Sequence, residues 1–321
     1  MMPMDSMVAM ERAVPAKRLL IVPSRSRYEI EIGKHGSEEA ARAWFGKTEV
    51  WEYIASSHAA QKQNLTLLQQ SLSHHSIDRS QLDEEIISKH DLFAFVGGDN
   101  HFTYCSQVIL QYQRAHPREQ KDVIGVLLDP TKSLGALLQC TMPEFIRQAS
   151  ELQRGGYTAE SWTTLEARIS DGNGQPFPAV GEYFIGERDR EEMSRNRAYV
   201  DGRPVLSEKG SGILIVTGAG AGDGSWYDNV HYLAFRGPDA LGREERAAHA
   251  IVTETKQSFL KGGESAKVRL LPGQTFAVYS YNDDNGMFLP DAHRDHGARF
   301  KIGSRADIKV SDNYLRVVRK N

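Results

Sequence analysis

The hydrophobic positions of the first half of the chain alternate between short apolar runs and stretches with helical spacing. Residues 37–75 carry apolar side chains at three- and four-residue steps, with one break near Gly46, and residues 102–116 repeat this spacing. The apolar runs that predict buried strands are residues 17–23, 92–96 and 123–128. Strands alternating with helices in this way predict a parallel sheet that is buried on both faces.

After about residue 145, the pattern changes to short strands separated by polar turns. The segments that predict these strands are residues 163–170, 177–185, 197–200, 212–216, 277–281 and 308–310. The polar turn at residues 171–174 predicts a β-hairpin, and residues 244–260 predict one helical insertion. The fold class expected is therefore an α/β N-terminal domain with a parallel sheet, followed by a β-rich C-terminal domain.

These patterns predict a flexible start and two domains. The start covers residues 1–16, which hold five methionines and no sustained apolar run, so we expect no signal peptide. The α/β domain covers residues 17–145. The β-rich domain covers residues 146–321, and its C-terminal segment is able to return to the first domain.

Composition excludes several classes of protein. A net charge of −3 without a long basic block argues against nucleic-acid binding through a general electrostatic surface. No apolar stretch approaches the roughly 18 residues of a membrane span. Cys105 and Cys140 lie far apart without CxxC spacing, which argues against a disulfide framework or a zinc site and fits a reducing cytoplasm.

The turn Gly97-Gly98-Asp99 follows the second predicted strand and precedes a predicted helix. Glycines leave backbone N–H groups open to a phosphate, and a carboxylate beside them can bind Mg²⁺ or accept a proton from a hydroxyl. Ligands of open α/β sheets bind outside the carboxyl ends of strands, where this turn lies. The alternative is a plain strand-to-helix turn, with Asp99 or Asn100 capping the helix.

A second glycine-rich loop, residues 217–225, follows the predicted strand at residues 212–216. It runs from Thr217 through Gly218 and Gly220 to Ser225, and Asp223 stands where a dinucleotide fingerprint requires its last glycine. The loop is either a backbone surface for a ligand or a flexible surface loop. Trp226, directly after it, either stacks on a base or packs in the core.

Three further polar positions are candidates. Glu182 lies within an apolar strand, where a carboxylate is paired, functional, or on an edge facing water. Asp129 follows the third apolar run, at another strand end. Asp291 with His293 and His296 lies in a loop between C-terminal strands, and without a third ligand at suitable spacing we expect no metal site there.

Taken together, these segments resemble the NAD kinase family, in particular its mitochondrial-type branch. The matching segments, in order, are residues 26–31, 96–99, 123–133, 182–187 and 211–218, with residues 314–318 similar to the last strand of that family. The resemblance covers nearly the whole chain. It implies a two-domain fold with the active site between the domains, and assembly as a homodimer.

The resemblance also implies roles for individual residues. The family's Gly-Gly-Asp-Gly aspartate acts at the phosphoryl-transfer centre, which implies that Asp99 is catalytic and that Gly97, Gly98, Asn100, His101 and Asp129 bind nucleotide in the α/β domain. An Asn-Glu pair of the family holds a ribose, and Glu182 is its glutamate here. The glycine loop contacts the second nucleotide region. The reaction implied is ATP- and Mg²⁺-dependent phosphorylation of the 2′-hydroxyl of NAD to give NADP.

This chain departs from the family pattern at several positions. Asn100 replaces a glycine at a position expected to favour positive φ, and His101 replaces the usual threonine. Gly181 stands in place of the family asparagine, and Ala219 and Ala221 stand where hydroxyl-bearing or other side chains are common. These changes leave two alternatives open: a kinase of the same fold that acts on another nucleoside or a polyol, and a nucleotide-binding regulator without catalysis.

Overall fold

Two β-sheets of different construction organise the chain. The computed structural model describes residues 16–46, 48–72, 75–130, 133–170, 176–189, 192–221, 240–254, 267–283 and 285–319. Their strands are β1 (Leu19–Pro23), β2 (Leu92–Gly97), β3 (Asp122–Leu127), β4 (Cys140–Thr141), β5 (Ala159–Ile169), β6 (Glu182–Glu187), β7 (Ser194–Val200), β8 (Arg203–Gly210), β9 (Gly212–Val216), β10 (Ala248–Thr253), β11 (Lys267–Leu270), β12 (Phe276–Ser280), β13 (Gly286–Pro290), β14 (Ala298–Arg299) and β15 (Arg305–Val318). Their helices are α1 (Arg27–His35), α2 (Glu38–Phe45), α3 (Thr48–Ser71), α4 (Glu84–Ser88), α5 (Asp99–Ala115) and α6 (Met142–Gln153).

The first sheet is parallel in its N-terminal part and antiparallel beyond it. Its order is β1-β2-β3-β15-β12-β7-β8, with β4 beside β3 and β5 beside β15. The second sheet has the order β11-β10-β9-β6-β13-β14 and is antiparallel. This combination of a parallel α/β part with a strand-rich part confirms the predicted fold class.

Helices cover both faces of the parallel strands, as the continuous apolar runs predict. On one face, the ring of Phe95 meets that of Phe102 on α5, with 6.1 Å between centroids. On the other face, Leu92 and Ala94 belong to the same buried cluster as Phe145 of α6. The predicted break near Gly46 is confirmed, because Gly46 ends α2 with a left-handed φ of 58°.

In the second half, the two sheets pack face to face around one apolar cluster. Alternate residues of β6, including Tyr183 and Ile185, point inward and meet Phe276 of β12 and Phe288 of β13 in that cluster. The side chains between them, such as Phe184, face the opposite side of the second sheet. Strand β6 therefore presents Tyr183 and Ile185 to the shared core and Phe184 to the opposite face of its sheet.

Strand β15 joins the two parts of the first sheet. Its early residues pair with β12 and β5, and near its end Arg316 and Val317 pair in parallel with Asp122 and Val123 of β3. The buried Asp122 carboxylate accepts hydrogen bonds from Arg316 Nε and from the Tyr157 hydroxyl, both at 2.5 Å. This contact fixes the end of β15 at the amino-terminal edge of the parallel sheet.

Two predictions for the second half are wrong. The segment predicted as a helix at residues 244–260 contains β10, which is paired on both sides and buried along its whole length; residues 255–260 lie outside the described residues. The predicted hairpin is wrong because β5 and β6 belong to different sheets; the two predicted segments form one antiparallel bridge, between Leu165 and Ala179, which precedes β6. Residues 171–175, the predicted turn, also lie outside the described residues.

Candidate functional site

The carboxyl ends of the parallel strands meet at one edge of the first sheet. After β1, the Ser24 N–H donates to the Val96 carbonyl oxygen at 2.8 Å. A Cβ atom on Gly97 would lie 2.9 Å from Ser24 Oγ, and one on Gly98 would lie 3.4 Å from the Ser133 Oγ that follows β3. The Gly97-Gly98-Asp99 turn therefore sits between two serines, and Gly97 is needed for close packing. Asp129, half-buried after β3, lies at the same edge, and its carbonyl accepts from the Ser133 N–H at 3.3 Å.

Asp99 opens α5, and its carboxylate is held by backbone amides. Oδ1 accepts from the Leu137 N–H at 2.9 Å and Oδ2 accepts from the Ala136 N–H at 3.2 Å. The Ala136 carbonyl in turn accepts from Arg243 Nη2 at 2.8 Å, and the Arg243 guanidinium lies 4.6 Å above the Trp162 ring. A carboxylate offers about four acceptor sites, so about two remain for a substrate hydroxyl or a cation.

The two residues after Asp99 differ in their surroundings. Asn100 is exposed and lies in the first turn of α5, with no positive φ, so the expectation of a left-handed backbone there is wrong. His101 is buried, and its Nε2 lies 2.8 Å from the Val22 carbonyl, which makes Nε2–H the donor. Burial lowers the pKa of His101 to about 4, so the imidazole is neutral near pH 7. The hydrogen bond from its side chain to Val22 links α5 to β1.

A pair of carboxylates forms a second centre at the start of β6. The buried Asp291 accepts N–H bonds from Val180 at 2.9 Å, Gly181 at 2.7 Å and Glu182 at 2.9 Å. A fourth hydrogen bond comes from Gln107 Nε2, at 2.5 Å. Asp291 has a φ of 45°, a left-handed conformation that aspartate tolerates better than most residues.

The protonation of this pair is shifted by burial. Burial and the neighbouring Asp291 charge raise the pKa of Glu182 well above its ordinary value. Burial also raises the pKa of Asp291, but its four hydrogen-bond donors oppose that rise. Because those donors favour the charged form, Asp291 is the anion of the pair and Glu182 is the member that holds a proton more readily.

A side chain at Gly181, such as the family's asparagine, would be crowded by its neighbours. A Cβ atom there would lie 3.1 Å from Asp291 Oδ1 and 3.3 Å from the Gly220 Cα. Any side chain at this position would displace either the carboxylate or the glycine loop. Glycine at position 181 therefore allows both the Asp291 hydrogen bonds and the close approach of the glycine loop.

Gln107 connects the carboxylate pair to the helix that begins at Asp99. Its amide nitrogen donates to Asp291, and its Oε1 accepts from Nδ1 of the buried His296. The imidazole of His296 stacks on Phe177 with 4.1 Å between centroids. Asp99 and Gln107 are eight positions apart, which is about 12 Å along a helix. One rigid helix therefore sets the position of both candidate centres.

The glycine loop after β9 packs closely against its neighbours. Thr217 Oγ1 donates to the Val180 carbonyl at 2.7 Å, and its N–H donates to the Gly181 carbonyl at 2.8 Å. Cβ atoms on Gly218 and Gly220 would lie 2.0 Å and 2.5 Å from the carbonyl oxygens of Gly242 and Gly181 respectively. Gly218 and Gly220 therefore allow close backbone–backbone contacts inside the protein.

Ala219, within that loop, is fully buried in the same cluster as Phe102 and Leu137. The structure thus brings the start of the loop, Glu182 and the Asp99 helix together. Ser225 and Trp226 lie outside the described residues. Sequence reasoning missed Gln107 as a site residue and did not assign Asp291 a role, because nothing in their spacing shows that they meet.

Two features are absent from the described residues. They contain no helix that is both long and apolar enough to cross a membrane. They also contain no group of three or more His, Cys, Asp or Glu side chains placed to hold a metal ion.

Comparison with solved structures shows that the chain has an NAD kinase-like fold. An NAD kinase from Archaeoglobus fulgidus in complex with ATP matches with a TM-score of 0.60 and 13% identity, covering 95% of this chain and 94% of that one. Yeast NADH kinase complexed with NADH matches with a TM-score of 0.62 and 13% identity, covering 96% and 84%. No protein-family model matches the sequence, and no curated protein matches it. The resemblance predicted from the sequence is confirmed at the level of the fold.

Proposed function

We propose that this chain is an NAD kinase-like phosphotransferase, which transfers a phosphoryl group from ATP to the 2′-hydroxyl of NAD and so forms NADP. The shared fold supports a kinase-like enzyme that binds nucleotides. The observation that carries the proposal further is Asp99, a carboxylate oriented by two amides at the carboxyl edge of the sheet. We also propose that the enzyme works in the cytoplasm as a homodimer.

Asp99 takes the catalytic role in this proposal. About two acceptor sites of its carboxylate are free for a hydroxyl, so it aligns that hydroxyl and accepts its proton. The amides of Ala136 and Leu137 keep the carboxylate in one orientation, which reduces the reorganisation needed at the moment of transfer. Alignment and electrostatics supply most of the rate in phosphoryl transfer, so a fixed carboxylate is the feature required.

The donors at this edge fit Mg²⁺ that arrives with the nucleotide. Such ions bind through one or two carboxylates together with phosphate oxygens and waters, so a cluster of three protein ligands is not needed. Asp99 would supply a protein oxygen, and the metal would neutralise charge on the triphosphate. Gly98, which is half-buried, leaves the adjoining backbone accessible, whereas Gly97 is buried and serves close packing.

The Glu182–Asp291 pair is the second part of the proposal. A glutamate whose pKa is raised by burial and by a neighbouring anion keeps its proton to a higher pH than an ordinary glutamate, and in that form it donates a hydrogen bond as well as accepting one. Such a group suits a ribose hydroxyl, which needs both. We propose that Glu182 positions the ribose, and that Thr217 holds the adjoining backbone through Val180 and Gly181.

A second candidate function is a kinase of the same fold with a different acceptor. The observation that favours it is Gly181, because Asp291 and Gly220 lie where the asparagine that the family uses beside its glutamate would need them to shift. An acceptor site rebuilt around the Asp291 carboxylate would fit another nucleoside or a polyol. This candidate keeps Asp99 in the same chemical role.

The test is an assay of NADP formation from NAD and ATP with the purified chain, beside calorimetry with NAD, NADH and ATP. We expect NADP to form, and the Asp99→Asn variant to lose at least about a thousandfold in kcat, with KM little changed. Asp312→Asn, at a fully exposed carboxylate, is the matched control. Undiminished turnover in Asp99→Asn would exclude the assignment of Asp99. ATP binding without NAD binding would favour the second acceptor, and NAD binding without turnover would favour a regulator.

A further inference from the structure

The peptide group between Ala136 and Leu137 lies between a cation and the carboxylate of Asp99. Its N–H donates to Asp99 Oδ1 at 2.9 Å, and its carbonyl oxygen accepts from Arg243 Nη2 at 2.8 Å. In a trans peptide the N–H and the C=O point in opposite directions, so the two hydrogen bonds lie along one dipole. Hydrogen bonds linked in this way polarise one another and gain about 10–30% in strength each. Arg243 therefore strengthens a hydrogen bond to Asp99 through a peptide group.

The side chain and the backbone of Arg243 are both held in place. Its guanidinium lies 4.6 Å from the centroid of the Trp162 ring, which is fully buried. That ring meets the ring of Phe102, three positions after Asp99 on α5, with 5.9 Å between centroids. The Arg243 carbonyl accepts from the Thr163 N–H at 2.8 Å. Arg243 is thus fixed relative to the helix that carries Asp99.

The two carbonyl groups of this segment have different anchors. The Leu137 carbonyl accepts from Gln139 Nε2 at 2.7 Å, and the Leu137 side chain is buried. The Ala136 carbonyl has the Arg243 guanidinium as its donor. If that donor is lost, the peptide group is free to rotate about its flanking Cα atoms, and the Leu137 N–H turns away from Asp99.

Arg243 reaches this peptide group from the segment that leads into β10 of the second sheet. The segment lies against the glycine loop, because a Cβ atom on Gly218 would lie 2.0 Å from the Gly242 carbonyl oxygen and 2.8 Å from the Arg243 nitrogen. Asp99 belongs to the first helix after β2 of the other sheet. The orientation of its carboxylate is therefore set in part from the β-rich half of the chain.

We propose that Arg243 is a positioning residue, which holds the Ala136–Leu137 peptide group with its N–H directed at Asp99. This inference rests on the proposed catalytic role of Asp99. Arginine suits the position because its planar guanidinium stacks on Trp162 and at the same time donates in its own plane, which a lysine ammonium does not do.

The first experiment measures NADP formation by Arg243→Met and by Arg197→Met. Arg197 on β7 is the matched control, because its guanidinium also lies over a ring, that of Tyr281, at 5.4 Å. Methionine keeps a stem over Trp162 and loses the donor. We expect Arg243→Met to lower kcat about 10–100-fold with KM for NAD and ATP within about threefold, because a small misplacement of a catalytic group costs rate and not binding. Arg197→Met should match the wild type.

Two further variants separate positioning from a general loss of structure. Arg243→Lys keeps the charge without the planar fork, so its kcat should lie between those of Arg243→Met and the wild type. In Arg243→Ala, guanidinium chloride below its denaturing range should restore part of the lost kcat, whereas sodium chloride at the same concentration should not.

The second experiment needs no turnover. The chain has two Ala–Leu peptide bonds, at residues 136–137 and 240–241, so labelling with ¹³C′-alanine and ¹⁵N-leucine selects two amide signals. Ala240→Ser removes one of them and assigns the other to Leu137. The Leu137 amide proton should move to lower frequency in Arg243→Met, because its hydrogen bond to Asp99 weakens, and should stay in place in Arg197→Met.

Three results would overturn the proposal. They are a wild-type kcat in Arg243→Met, a change confined to KM, and an unmoved Leu137 amide proton in Arg243→Met. A loss of kcat in Arg243→Ala that follows a lower urea midpoint and is not restored by guanidinium would show a structural role only, and would also contradict it. If the wild type forms no NADP, the proposed function fails, and the Leu137 proton alone decides whether Arg243 positions Asp99.

Discussion

Replacing Asp291 with asparagine tests whether this carboxylate holds the start of β6 in place. The substitution keeps the shape of the side chain but turns one acceptor oxygen into an NH₂ group. If Oδ1 keeps its two amide partners, the Val180 N–H and the Gln107 NH₂ at Oδ2 lose their acceptor. Each unpartnered buried donor costs about 1–3 kcal/mol, which gives a loss of about 2–6 kcal/mol for two.

The assay is thermal and urea unfolding of Asp291→Asn beside Asp295→Asn, an exposed aspartate in the same loop. At about 2 °C per kcal/mol for a chain of this size, we expect Tm to fall by about 4–12 °C in Asp291→Asn. The control should stay within about 0.5 kcal/mol of the wild type. The pKa of Glu182, followed by carboxyl carbon NMR, should fall in Asp291→Asn because the neighbouring charge is gone. It should stay above its ordinary value, because burial is the larger cause.

Equal unfolding temperatures of the two variants would refute a stabilising role of Asp291, since its four hydrogen bonds would then contribute nothing measurable. An unchanged Glu182 pKa in a destabilised Asp291→Asn variant would refute the electrostatic part alone. A fall in kcat for NADP formation that exceeds the effect on KM would link the pair to the proposed reaction.

Other predictions concern buried histidines and the glycine loop. Burial holds the pKa of His101, His293 and His296 at about 4, so between pH 6.5 and pH 4 the unfolded chain binds more protons and stability falls as the pH drops. Urea unfolding should show a loss of up to about 4 kcal/mol per pH unit from the three together, and His101→Gln should reduce that slope by about one third. Gly218→Ala should destabilise the fold by more than about 2 kcal/mol because its Cβ would meet the Gly242 carbonyl at 2.0 Å, whereas Gly242→Ala, with open space around it, should be nearly neutral. Equal urea midpoints for the two glycine variants would contradict this account of the loop.

The sequence predicts the structure correctly where the local hydrophobic pattern matches the burial of the residues in the folded chain. The apolar runs at β1, β2 and β3 are buried on both faces, so their lack of alternation predicts their place correctly. The glycine at position 46 ends a helix for a purely local reason. The place of Asp99 at the carboxyl edge of the sheet follows from the strand that its turn succeeds, whereas its catalytic role is implied by the family resemblance and stays a prediction.

The predictions that were wrong share one physical cause, which is pairing between residues far apart in the sequence. The residues of β10 are alanine-rich and lie next to helix-forming glutamates, yet they form a strand because β9 and β11 supply its hydrogen bonds. Gln107 and Asp291 are 184 positions apart, and no short sequence motif indicates that they are in contact. The left-handed backbone predicted for Asn100 occurs instead at Asp291, whose loop the second sheet dictates.

The position of β15 has a consequence for synthesis on the ribosome. Arg316 pairs with Asp122, a contact that spans 194 positions, so β3 lacks one neighbour until the last strand has been made. At typical elongation rates of 5–20 residues per second, the exposed edge of β3 waits about 10–40 s. We therefore expect the α/β half to remain incomplete during translation and to depend on chaperones in that interval. Expression of residues 16–158 alone should give an aggregating fragment, because β4 covers only the end of β3 and the edge at Asp122 and Val123 is open to other chains.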